Sequence, residues 1–274
     1  DTGRYDISYT GAHNRLIGNG LTPKDLLGSD REGIHTLEDE TVNNYGKLVW
    51  SGNEFLDDVT MLSGNAYWYR SDRKTFNGDL NDEYTGVGTC DEANDDETAC
   101  EGALNRTGTK QDAYGLNGQI TLDDDLFGSR NQLIVGTSAE YSLIKFYQNE
   151  TPIATLLSSG FFGGDTLDTE QTTGLTGKTK IFSLFATNTH SISEQWNFNV
   201  AARYNFIQVD NQDTYNAAGS SASLTGKHHY ERVNPSVGIT FHPTKDYTTY
   251  ASYSESNRAP TSIELGCSIE AQPC

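Results

Sequence analysis

Apolar and polar side chains alternate with a period of two along much of this chain, the mark of strands with one greasy and one wet face. From Trp196 to Val209, Trp196, Phe198, Val200, Ala202, Tyr204 and Phe206 share one face. Asn197, Asn199, Ala201, Arg203 and Asn205 share the other. Tyr114, Leu116, Gly118, Ile120 and Leu122 stand opposite Ala113, Gly115, Asn117, Gln119 and Thr121. The same reading separates Leu133, Val135, Thr137, Ala139, Tyr141 and Leu143 from their neighbours, and Val233, Pro235, Val237, Ile239 and Phe241 from theirs. Less regular strands are expected near 4–10, 44–54, 60–72, 179–191 and 247–257, which brings the number to about nine. Each is about as long as the roughly 9–11 residues that a tilted strand needs to cross a bilayer.

The connections alternate in length. Short ones fall at Leu56-Asp57-Asp58-Val59, from Asp123 to Arg130, at Ser193-Glu194-Gln195 and at Thr244-Lys245-Asp246. Long ones, rich in Gly, Asp, Asn, Ser and Thr, are expected at 11–43, 73–110, 149–178 and 211–229. Successive antiparallel strands joined in this way place every long loop at one end and every tight turn at the other. That polarity belongs to outer-membrane barrels, which also have an apolar outer band, aromatic girdles and a polar interior. In hydrocarbon every backbone donor must be paired, so such a sheet has to close on itself. Tyr67-Trp68-Tyr69, Tyr141, Phe146, Tyr147, Trp196, Tyr247, Tyr250 and Tyr253 are placed as a girdle would need them. The expected fold class is therefore all-β, an antiparallel transmembrane β-barrel segment of about nine strands.

Composition narrows the partners. The 274 residues include 19 Lys+Arg and 38 Asp+Glu, a formal charge of −19, which excludes the basic footprint of a nucleic-acid binder. No run approaches 18 apolar residues, so no helix spans a membrane. The chain begins at Asp1 with no basic-plus-apolar leader, and any targeting segment is expected to be missing or already removed. Cys90 with Cys100, and Cys267 with Cys274, form two close pairs, read as two loop disulfides of an oxidising compartment. Their spacings do not suit zinc.

The run Tyr250-Ala251-Ser252-Tyr253-Ser254-Glu255-Ser256-Asn257-Arg258-Ala259-Pro260-Thr261-Ser262-Ile263-Glu264-Leu265 resembles the barrel segment of TonB-dependent outer-membrane receptors. There a Y-x-x-Y-S-x-x-x-R-A-P-x-x-x-E-L pattern recurs late in the barrel. The residues that carry the likeness are Tyr253, Ser254, Arg258, Ala259, Pro260, Glu264 and Leu265. Arg203-Tyr204-Asn205 and Asn234-Pro235-Ser236-Val237-Gly238 resemble two further family elements, and Leu16-Ile17-Gly18-Asn19-Gly20 with Pro23 and Leu26-Leu27 resembles an earlier loop. The resemblance implies a 22-stranded barrel around an N-terminal plug. No segment here matches a plug, a TonB box or the aromatic-ended terminal strand, so residues 1–274 are expected to be an internal fragment of the barrel domain.

No catalytic constellation is found, and the chain is not expected to be an enzyme. Gly136-Thr137-Ser138-Ala139-Glu140 lacks the second Gly of a nucleophile elbow. Gly174-Leu175-Thr176-Gly177-Lys178-Thr179 lacks the full phosphate-loop spacing. His228-His229 reads as a solvated pair, and the acidic run Asp91, Glu92, Asp95, Asp96 and Glu97 as a solvated loop tip. Neither cofactor nor metal is called for, and no substrate residue is assigned. Asn117, Gln119, Asn197, Asn199, Arg203 and Asn205 are expected to face the lumen or a plug. The function implied is active uptake of a scarce solute, with ferric siderophores as the default, across the outer membrane of a Gram-negative bacterium. The expected partners are outer-membrane lipid, a TonB-type energy-transducing protein acting through a plug, and a small-molecule or metal-chelate ligand. A secreted soluble all-β glycan-binding module and a passive porin-type barrel are the alternatives.

Overall fold

The computed structural model describes residues 3–18, 28, 39–81, 84–90, 97–156, 162–166 and 168–266. The strands are β1 (Gly3–Gly18), β2 (Asp39–Phe55), β3 (Thr60–Leu80), β4 (Gly102–Leu126), β5 (Ser129–Leu156), β6 (Phe162–Thr166), β7 (Glu170–Ser191), β8 (Trp196–Asp213), β9 (Gly226–Thr244) and β10 (Tyr247–Ser254). A single helical turn, Glu97–Ala99, precedes β4, and a short helix α1 (Ser262–Gly266) follows β10. Nine strands pair in the order β1-β2-β3-β4-β5-β7-β8-β9-β10, and β6 pairs with the end of β5. All pairings are antiparallel. Among the described residues there is one sheet, with β1 and β10 at its edges, and no second sheet stacks upon it.

The strand count agrees with the sequence, but the strand lengths do not. β4 has 25 residues and β5 has 28, so pairing runs far into the stretches 73–110 and 149–178 that were expected to be loops. The cause is that the hairpins continue beyond any apolar band. There neither face has to be greasy, so alternation vanishes while the ladder persists. The alternation of short and long connections survives. Short turns join β2 to β3, β4 to β5, β7 to β8 and β9 to β10, and longer segments join the other neighbours in the path.

Register fixes the two faces. Segment 257–262 lies over one of them, taken here as the inner face. On the outer face Leu116 of β4 pairs with Ala139 of β5, which pairs with Phe182 of β7, which pairs with Phe206 of β8. Leu116 is 60% exposed, whereas Ala113 on the inner face is fully buried. The outward apolar run from Leu133 to Leu143 covers about 34 Å of strand. At a tilt of ~45° that gives a height of about 24 Å, matching an outer-membrane apolar band of ~25 Å. The Tyr67-Trp68-Tyr69 run splits, because period two sends only Trp68 outward and turns Tyr67 and Tyr69 inward. Phe146 and Tyr250 likewise fall on the inner register, while Tyr141 and Tyr147 point out.

Four aromatic rings lie directly across from glycines: Tyr5 from Gly52, Tyr67 from Gly115, Tyr147 from Gly108 and Phe185 from Gly136. A Cβ on Gly115 would come within 2.1 Å of the Tyr67 ring, and one on Gly108 within 2.2 Å of Tyr147. Each ring fills the missing side chain's place, a cross-strand device that pins register. The tight β4–β5 turn is Phe127-Gly128, both with positive φ, 56° and 76°, as a two-residue I′-type hairpin turn requires. The β2–β3 turn is held by Asp57, whose carboxylate accepts the Val59 and Thr60 backbone N–H groups at 2.9 and 2.7 Å.

Candidate functional site

The inner wall of β5, β7, β8 and β9 is built of amides and hydroxyls around one arginine. The Arg203 guanidinium donates to Asn205 Oδ1 at 2.9 Å and to Ser138 Oγ at 2.8 Å, and it lies 5.5 Å from the centre of the Phe185 ring. Ser183 Oγ, fully buried, donates to Asn205 Oδ1 at 2.9 Å. Period two supplies these neighbours: Ser183 pairs with Asn205 across β7 and β8, and Arg203 with Asn234 across β8 and β9. Asn117 donates to Asn65 Oδ1 at 2.8 Å, and Asn199 to Thr189 Oγ1 at 2.8 Å.

After β10 the chain turns across this wall. Glu255 N–H donates to the Pro235 carbonyl at 2.9 Å. Asn257 Oδ1 then accepts from both Asn205 and Asn234, at 3.1 and 2.7 Å. Asn211 donates to the Ser262 carbonyl at 2.9 Å. Between the strap and the wall lies a cavity of about 410 Å³ bounded by Gln111, Ile144, Ile181, Arg203 and Pro260. Asn211 Oδ1, Asn234 Oδ1 and Ser262 Oγ are buried without a hydrogen-bond partner among the described residues.

The R-A-P-x-x-x-E-L spacing has a local physical cause. Thr261 N–H donates to Glu264 Oε2 at 2.8 Å and Glu264 N–H to Thr261 Oγ1 at 3.2 Å, a reciprocal capping box that opens α1. Arg258 grips the same carboxylate with two bonds, at 2.6 and 2.9 Å. The Arg258 guanidinium and the Thr261 N–H hold the Glu264 carboxyl at a pKa of about 2. Pro260 and Ala259 line the cavity, Leu265 N–H donates to the Thr261 carbonyl at 3.0 Å, and Tyr253 OH donates to Glu255 at 2.9 Å. Ser254 ends β10.

The remaining expected residues are dispersed. Cys90 and Cys100 are disulfide-bonded, with Cα atoms 4.8 Å apart, and together with Ala99 they form a small buried cluster at the long-loop end. Cys267, Cys274, Asp91, Glu92, Asp95, Asp96, Asn19, Gly20, Pro23, Leu26 and Leu27 lie outside the described residues. Glu97 starts the single helical turn, and His228 and His229 are exposed on β9. Among the described residues no group of three or more His, Cys, Asp or Glu could hold a metal ion. Two features escaped the sequence reading, Ser183 with Ser138 as partners of the arginine site, and the T-x-x-E box at Thr261, whose signal was present in the sequence.

A family model described as TonB dependent receptor-like, beta-barrel, matches residues 1–270. Among solved structures, the ferric citrate transporter FecA in its unliganded form superposes with a TM-score of 0.70 at 11% identity, over 92% of this chain and 33% of that one. The ferric-catecholate import receptor Fiu of E. coli K12, in its open form, gives 0.67 at 13%, over 94% and 45%. BauA, the ferric preacinetobactin receptor of Acinetobacter baumannii, gives 0.57 at 11%, over 92% and 37%. The chain thus spans less than half the length of each of these structures. No curated protein sequence matches it.

Proposed function

Because the chain belongs to the TonB-dependent receptor-like β-barrel family, we propose that it forms part of the wall of a Gram-negative outer-membrane transporter that takes up a scarce solute. The observation that carries this reading is the family match over residues 1–270. The height of the outward apolar band and the polar inner wall support it. The chain is read as an internal portion of the barrel, with a plug and the remaining strands supplied by other parts of the polypeptide. Energy enters through a TonB-type protein acting on the plug, and the wall performs no chemistry on its cargo. The named structural neighbours handle iron chelates, which makes a ferric siderophore the first cargo to test.

The test is growth of an iron-starved deletion strain supplied with single ferric siderophores. Uptake of one chelate should be restored by the complete gene, and only when the TonB-type protein is present. Uptake that persists without that protein would identify a passive pore. No restored uptake with any iron chelate would remove siderophores as the cargo class.

A further inference from the structure

Strand register segregates charge between the two faces. Arg70, Lys74, Lys110, Lys145, Lys178 and Lys180 all fall on the outer face. Among the described strands the inner face holds Arg4, Lys47, Arg73, Arg203 and Arg232, and most of these are already engaged. Arg4 lies 3.0 Å from Asp6, and Arg232 lies 3.0 Å from Glu255. Lys47 sits 5.4 Å from the centre of the Tyr67 ring, and Arg203 is held by Ser138 and Asn205. The Arg258 guanidinium, which lines the cavity, is gripped by Glu264. Arg73 has no salt bridge among the described residues, but Glu140, Glu150 and Glu170 face the same space, the last two directly opposite each other. The inner wall therefore offers no excess of positive charge.

What it offers instead is hydroxyls, amides and rings. Thr41, Thr75, Thr107, Gln148 and Thr173 stand in one register row across β2, β3, β4, β5 and β7, and all are half-buried. Nearer the cavity, Ser71 Oγ donates to Asn43 Oδ1 at 3.0 Å and Gln111 to the Tyr69 hydroxyl at 3.1 Å. The Tyr45 and Tyr69 rings lie 6.1 Å apart. This surface leads into the cavity under the strap, where Gln111, Ile144 and Thr179 continue the same mixture. A wall that holds a multiply charged anion needs cations, because charge is recognised by its complement and like charges repel. A neutral solute rich in carbonyl and amide groups needs donors, acceptors and apolar ring faces.

We propose that this wall selects a charge-neutral ferric chelate of the tris-hydroxamate class and discriminates against chelates that carry several negative charges. This rests on the reading above that the wall belongs to a transporter of iron chelates, and it narrows the cargo by charge. Three singly charged hydroxamates around ferric iron cancel its charge, whereas three doubly charged catecholates leave a trianion. The trianion meets Glu140, Glu150 and Glu170 with the nearby cations mostly engaged, and the net charge of −19 opposes its approach. The neutral complex presents carbonyl groups to the threonine row and methylene chains to the tyrosine rings.

The experiment uses the complete receptor in detergent micelles and measures, by quenching of tryptophan emission, its binding of a neutral ferric tris-hydroxamate and of a ferric tris-catecholate. The neutral chelate should bind at least about tenfold more tightly. Its affinity should stay constant between about 0.05 and 0.5 M salt, because screening acts on charges. Thr41→Lys and Gln148→Lys place a cation in the row, and each should narrow the preference about fivefold. Lys245→Gln at the short-turn end should leave the preference as it is. Heat-modifiable migration on gels reports that each variant is still a folded barrel. A parent protein that binds the tris-catecholate as tightly as the tris-hydroxamate, or that binds neither, would overturn the assignment. So would folded lysine variants whose preference matches the parent's. A parent protein that does not fractionate with the outer membrane would defeat the transporter reading itself, which separates the two failures.

Discussion

Replacing Gly115 with alanine tests whether the aromatic–glycine pairs hold the wall in register. The new Cβ would sit 2.1 Å from Tyr67 Cζ and 2.3 Å from Cε1, well inside the ~3.5–4.0 Å of ordinary carbon contact. The obstacle is a ring, not a flexible tail, so the whole phenol must swing away. That movement takes the Tyr67 hydroxyl from the Glu140 carboxylate, to which it donates. Overpacking of this kind costs about 1–3 kcal/mol, and losing a hydrogen bond to a charged group about 1.5–3 kcal/mol in a dry site, less on a wall that water reaches. The smaller backbone entropy loss of alanine returns roughly 0.5–1 kcal/mol, leaving a net destabilisation of about 2–3 kcal/mol. Gly118→Ala, three residues along the same strand, meets nothing within 4 Å and should stabilise by about 0.5 kcal/mol. Urea unfolding of the complete barrel in phospholipid vesicles, followed by tryptophan emission, would measure both. In a Tyr67→Ala background Gly115→Ala should become harmless, a coupling above about 1.5 kcal/mol. If the two glycine variants agree within about 0.5 kcal/mol, or if the cost persists without the Tyr67 ring, the pairing argument is wrong.

Three further outcomes follow from single sites. The Glu264 carboxyl, held at a pKa of about 2 by Arg258 and the Thr261 N–H, has a folded pKa below its unfolded one, so its contribution is complete above about pH 4.5 and lost as pH falls toward 2. Hydrogen exchange at Glu264 and Leu265 should therefore accelerate across that window, and Glu264→Gln should remove the dependence. Phe127, 94% exposed with φ 56°, occupies a conformation that asparagine adopts more readily, and Phe127→Asn should raise stability by about 1 kcal/mol in the same urea assay. Burial works to raise the Asp213 carboxyl, but the backbone N–H groups of Leu224, Tyr215 and Asn216 outweigh it and leave its pKa below the ordinary value. Asp213→Ala strands those donors, and it should open the 214–225 loop to protease by about 2–4 kcal/mol while the barrel stays folded.

The period-two signal was readable wherever one face had to meet an apolar environment. Leu116, Val135, Leu184, Val200 and Val237 fall on the outer face as alternation required, and Asn117, Gln119, Arg203 and Asn205 fall on the inner one. The same rule explains what was missed. Residues 102–112 of β4 and 143–153 of β5 pair without interruption, yet both faces there are polar or only locally buried, so nothing in the residue pattern distinguishes ladder from loop. Tyr67 and Tyr69 misled for a related reason: an aromatic triplet necessarily divides between faces, and β-propensity alone does not say which ring faces which side.

The inner site was legible one residue at a time but not as an assembly. Arg203 and Asn205 announce a polar wall, but their partners Ser138 and Asn257 lie 65 and 52 positions away in the chain, joined only by strand register and by the strap's return. The T-x-x-E box at Thr261 is local and could have been found, because its geometry follows from spacing alone. What converts that box into part of the wall is the buried Ser262 carbonyl accepting from Asn211, a contact between strands and strap that no spacing encodes. The strap and the wall therefore test each other. If Asn211→Leu leaves the exchange of Glu264 and Leu265 unchanged, the capping box folds by its own local bonds. If exchange accelerates there while the β7–β8 ladder stays protected, the wall is what orders the strap.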